Sequence, residues 1–210
     1  MFSLFLYPFL FFFPSLVKAH HPLSGGNMEN FVDGFFSGVG HPILGLDHLA
    51  FIFGVGLISF ITQKFYSFTL TFVSGTIVGL ISIYFGLYLP FYEIIVSLTL
   101  IFLSYVILST KTINFKGVLF TIFGIFHGWA YGVILVEKPL LNVKVLFGYS
   151  LGLFLTQILI VFLGYHLFKL LKSFKTSNFL VAPIFSGMMI GIASVSLFEI
   201  FESAIINFSN

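Results

Sequence analysis

The chain has 210 residues, of which 59% are hydrophobic and 8% charged, with a mean hydropathy of +1.12. A soluble domain carries about 25% charged residues, so no water-soluble surface can be built from this composition. The formal net charge of +2 is spread thinly over lysines, which excludes the basic patch that a nucleic-acid partner needs. With no cysteine, there is neither a disulfide framework nor a thiolate site, and any metal must be held by nitrogen and oxygen donors.

Residues 1–19 form an apolar run ending in Val17-Lys18-Ala19, the small-residue pattern of a signal peptidase site. Cleavage after Ala19 exposes His20 and His21. A mildly polar stretch follows to Gly40, holding Glu29 and Asp33. Apolar blocks then predict six membrane spans, at about 41–62, 66–89, 91–109, 117–136, 144–168 and 180–201, each near the roughly 20 residues that cross a bilayer. The expected architecture is an all-α polytopic membrane protein: a bundle of six transmembrane helices over residues 20–210, after an N-terminal signal peptide.

Lys64, Lys111, Lys116, Lys169, Lys172 and Lys175 fall on one side of such a bundle, and Lys138 and Lys144 on the other. The positive-inside rule therefore puts the mature N-terminus outside. Small residues four apart, Gly75 with Gly79, Ser82 with Gly86 and Gly187 with Gly191, predict close helix packing. The 32 phenylalanines read as lipid-facing or core side chains without chemistry.

An ionisable group at the centre of a bilayer costs about 2.5–3.5 kcal/mol, so Asp47, His48, Glu93 and His127 need a reason to be there. On a straight helix His41 and His48 share one face but stand about 10 Å apart along the axis. That is too far to hold one ion directly, unless Pro42 and Gly45 loosen the helix. Tyr131 follows His127 by one turn. Imidazole with carboxylate suits a divalent transition ion such as Ni²⁺, Co²⁺ or Zn²⁺, and binding to imidazole weakens as the external pH falls. His166 reads as an interfacial residue, and Glu199 and Glu202 as solvated.

The stretch GHPILGLDHLAFIFGVG, with His41, Asp47 and His48 in His-x5-Asp-His spacing, and the stretch FHGWAYG around His127 resemble the two signatures of the HupE/UreJ family of hydrogenase and urease accessory nickel permeases. The second departs from the family form, which has a second His and a Glu where this chain has Tyr131 and Ile134; Glu137 supplies a carboxylate only if the helix end bends inward. The resemblance implies a six-helix permease, not an enzyme, in the bacterial inner membrane. It would move Ni²⁺ or Co²⁺ as substrate towards the cytoplasm, with an indirect link to nickel-enzyme maturation. The implied metal residues are His41, Asp47, His48, Glu93, His127 and Tyr131, with His20 and His21 as an external collecting end. No P-loop motif occurs, so transport would be secondary. An intramembrane zinc hydrolase and a metal-sensing or docking protein are the competing readings.

Overall fold

The computed structural model describes residues 28–87, 89–109, 117–136, 142–173 and 181–209. The signal-peptide assignment, His20, His21 and Glu137 lie outside them. Among the described residues the chain is all-α, with seven helices: α1 Phe31–Leu44, α2 Leu46–Thr62, α3 Phe65–Tyr84, α4 Tyr92–Leu108, α5 Gly117–Val136, α6 Val143–Ser173 and α7 Val181–Ser209.

Helix α1 was not expected, because its segment reads as a polar connection. Its start is built by Asn30, whose side-chain oxygen accepts from the amides of Val32 at 2.8 Å and Asp33 at 3.1 Å. The Asp33 carboxylate accepts in return from the Asn30 amide at 3.3 Å. This capping box satisfies amides that a helix N-terminus leaves open.

The expected continuous span 41–62 is corrected to a broken one. Its first half begins at Phe31, and the chain bends by 78° between α1 and α2. Pro42 has no amide hydrogen to donate, and Gly45 takes an extended backbone at φ −76°, ψ 103°. The Gly45 amide closes α1 onto the His41 carbonyl at 3.0 Å, and its own carbonyl opens α2 by accepting from Leu49 at 2.8 Å.

Two seams of close backbone approach hold the bundle. Between α3 and α5, a methyl on Gly75 would run into the Thr121 carbonyl and one on Gly128 into that of Thr76. Between α1 and α6, a methyl on Gly38 would strike the Tyr149 carbonyl and one on Gly152 that of Phe35. Contacts in the second seam advance in the same direction along both helices. Further on, Gly56 of α2 lies against Val161 of α6. The broken pair therefore runs beside most of α6, with its break level with the middle turns of that helix.

Gly75 and Gly79 thus pack as the sequence predicts. The other two small-residue pairs do not: Gly86 lies beyond α3 at φ +78°, and among the described residues nothing stands within 4 Å of a methyl placed on Gly86, Gly187 or Gly191. Helix α2 lies at the centre, with Phe51, Ile52 and Val55 fully buried, and Phe68, Phe72, Phe120 and Leu100 complete the apolar core. Phe102, Phe147, Phe162 and Phe198 point outward, as side chains do that face lipid.

Among the described residues four helices are long and apolar enough to cross a membrane, namely α3, α5, α6 and α7, and the bent pair α1–α2 makes a fifth candidate; α4 is a shorter apolar helix of 17 residues. Forcing a branched side chain into the α3–α5 seam should separate those helices, at a cost of about 1–3 kcal/mol or more. Gly128→Val is expected to lower the melting temperature of the detergent-solubilised protein and broaden its gel-filtration peak. Gly187→Val, on the open face of α7, should leave both near wild type.

Candidate functional site

The break at Gly45 places the end of α1 and the start of α2 on one cavity of about 370 Å³. His41 comes from α1, Asp47 and His48 from α2, Glu93 from α4 and Glu199 from α7, while Ala130 and Val133 of α5 form apolar wall. His41 and His48 are 4% and 3% exposed, Asp47 is half-buried and Glu93 exposed. The bend brings the two imidazole centroids to 5.7 Å, against about 10 Å of axial rise on an unbroken helix. Sequence spacing put these rings on one face, and the turn at Gly45 shortens the gap between them.

The helix ends at the break have opposite partial charge. Asp47 sits in the first turn of α2, where its Oδ1 accepts from the His48 amide at 2.8 Å and where a carboxylate is favoured. His41 sits in the last turn of α1, where positive charge is favoured. Both residues therefore match the end they occupy.

His127 and Tyr131 are fully buried and stand behind the cavity wall rather than on it. The His127 ring lies 4.3 Å from that of Phe51 and 5.7 Å from that of Phe72. Its Nδ1 is 2.9 Å from Nδ1 of His48, and its Nε2 is 3.0 Å from the Thr99 hydroxyl. The Tyr131 ring packs 4.3 Å from His48 and 5.0 Å from His41. The Tyr149 hydroxyl donates to the Tyr131 carbonyl at 2.9 Å and lies 2.7 Å from Nδ1 of His41.

Beside Tyr131, Gln157 Oε1 lies 2.9 Å from the Thr76 hydroxyl, but that hydroxyl spends its proton on the Val73 carbonyl at 2.7 Å. Amide oxygen and nitrogen are assigned from such networks. With the amide turned over, its nitrogen donates to the Thr76 oxygen. The Tyr131 hydroxyl is buried with no hydrogen-bond partner among the described residues.

Sequence reasoning missed three side chains at this site. Glu199, read as solvated, lines the cavity; its place near the outer end of the last span was the available signal. Tyr149 and Thr99 carried no signal, since each is one polar residue in an apolar helix. His166 is exposed and packs on Phe162 with centroids 4.2 Å apart, away from the cavity. Among the described residues no three His, Asp or Glu side chains stand close enough to hold one ion together.

A family model described as HupE / UreJ protein matches residues 9–205. The chain belongs to the HupE/UreJ family. This family is associated with nickel and cobalt accessory transport, and the two stretches that resemble its signatures meet near the break: the His-x5-Asp-His residues lie on the cavity and His127 directly behind it. Searches of curated proteins and of solved structures gave no match.

Gly45 gives this HupE/UreJ site a local test. Its φ suits any residue, but an added methyl would lie 2.8 Å from His48 Cδ2. Gly45→Ala is expected to shift that ring, read as a change in the His48 imidazole NMR signals, with the melting temperature moving by no more than a few degrees.

Proposed function

We infer that the chain is a secondary permease that takes a divalent transition metal, nickel foremost, from outside the bacterial inner membrane towards the cytoplasm. The observation that supports this best is the meeting of two imidazoles and three carboxylates on one cavity at the break of a membrane-crossing helix pair. In transporters, interrupted helices with ionisable groups at their ends are where lipid-spanning chains bind ions. Nitrogen and oxygen donors without sulfur suit Ni²⁺ and Co²⁺, and donor softness alone does not choose between them.

In this reading α1–α2 is the first of six spans and α4 the third. The cavity opens at the end of the bundle where α4 begins and α5 and α7 finish. Lys64 and Lys169 lie at the opposite end, and Lys111, Lys116 and Lys175 fall in sequence between helix ends on that same side. The positive-inside rule makes that side cytoplasmic, so the cavity faces outward and the mature N-terminus is external. His20 and His21 collect the ion, Glu93 and Glu199 draw it to the mouth, and His41, Asp47 and His48 bind it at the break. With its donors spread around the walls, the cavity is an open, receiving state. Closure would complete the coordination, and release inward would supply nickel to enzyme maturation.

Purified protein in proteoliposomes should take up radioactive Ni²⁺ with saturation. Asp47→Asn, His48→Ala and Glu93→Gln are each expected to lower uptake about tenfold or more, and Glu199→Gln to raise the half-saturating concentration with less effect on the maximal rate. Folded variants that transport as wild type does would refute the site.

A further inference from the structure

The hydrogen bonds behind the two cavity histidines have a direction, because a carbonyl oxygen accepts and never donates. The Tyr149 hydroxyl has one proton, and its 2.9 Å contact with the Tyr131 carbonyl takes it. With the proton given to that carbonyl, the oxygen, 2.7 Å from His41 Nδ1, accepts, and Nδ1 of His41 carries the hydrogen.

The second chain is longer by one imidazole. Thr99 gives its proton to the Val96 carbonyl at 2.6 Å and therefore accepts from Nε2–H of His127 at 3.0 Å. Neutral His127 then has a bare Nδ1, which at 2.9 Å accepts from Nδ1–H of His48. In this direction each hydroxyl proton ends on a backbone carbonyl and each imidazole N–H on a hydroxyl oxygen or ring nitrogen. Both chains leave the ring lone pair of the cavity histidine on Nε2.

We propose that Tyr149, His127 and Thr99 are positioning residues that fix His41 and His48 as Nδ1–H tautomers, so that both rings meet the cation through Nε2. This rests on the cation-uptake reading above and changes the part given to His127, from ligand to the residue that holds a ligand in register. Metal-binding histidines commonly donate their other ring N–H to a fixed acceptor, which sets tautomer and orientation and raises basicity. Here the acceptors are a phenol and an imidazole, each anchored on the main chain of a different helix, Tyr131 of α5 and Val96 of α4.

The test uses full-length, metal-free protein in lipid nanodiscs with ¹⁵N-labelled histidine rings, read by NMR at a pH where imidazole is neutral and assigned with His41→Gln and His48→Gln. Both cavity histidines are expected to carry hydrogen on Nδ1. Tyr149→Phe should turn His41 alone into a tautomer mixture and Thr99→Val should do so for His48 alone, each weakening Ni²⁺ binding on the order of 10–100-fold. Thr99→Ser should restore both the spectrum and the affinity. An Nε2–H form of either ring in folded wild type overturns the inference even where vesicles take up nickel, as does a Thr99→Ser protein that behaves like Thr99→Val. Wild-type vesicles that take up no nickel would overturn the permease reading instead, leaving the tautomer assignment to the spectra.

Discussion

Hydrocarbon offers no hydrogen bonds, so a membrane-crossing chain can interrupt its helix only where the freed polar groups face protein or a cavity. The interruption at Gly45 governs the rest of this architecture. Helix α6 backs it from one side through glycines that let two main chains touch, and α4, α5 and α7 wall it from the others. His41, Asp47 and His48 lie within about one turn of the break, and polar side chains from α4, α5, α6 and α7 meet them there. Without the turn, His41 and His48 would be two unrelated costs in an apolar helix.

The two glycine seams do different work. The α3–α5 seam ties His127 to the core, since Gly124 and Gly128 bracket it in sequence and both meet α3 at main-chain distance. The α1–α6 seam sets the position of Tyr149 relative to His41, because Gly38 rests on the carbonyl of Tyr149 itself. Each imidazole in contact with the cavity is thus backed by a group whose placement depends on a separate helix pair. Burying an unpaired polar group costs about 1–3 kcal/mol, and the chains through Tyr149 and Thr99 remove that cost while still keeping the rings at the cavity.

Most helices were legible in the sequence because unbroken apolar runs of span length admit few other readings. Helix ends near Phe65, Gly117 and Val143 fell within a residue or so of expectation. Helix α1 was hidden by the same residues that make it useful: Gly34, Ser37, Gly38 and Gly40 look like a connection, yet Gly34 and Gly38 are the face on which α6 rests. The Asn30 and Asp33 pair was the signal that marks its start. The His-x5-Asp-His residues fall on the cavity, and Pro42 and Gly45 marked where the helix could loosen, but periodicity has no means of setting the 78° bend found there. Gly187 and Gly191 had the spacing of a packing motif without a partner, a reminder that the pattern permits approach and does not compel it.

The cavity's walls are unequally held. Among the described residues about half of the apolar, membrane-crossing stretch of α3, α5 and α6 is buried, against 17% for α7, although α7 supplies Glu199 and Ser196 to the wall. Displacing a helix with so little covered surface forfeits few dispersion contacts, while moving α6 would tear open main-chain contact. Mechanical compliance is therefore concentrated in α7, and bilayer thickness and lateral pressure have their strongest purchase on the wall of the cavity that α7 supplies.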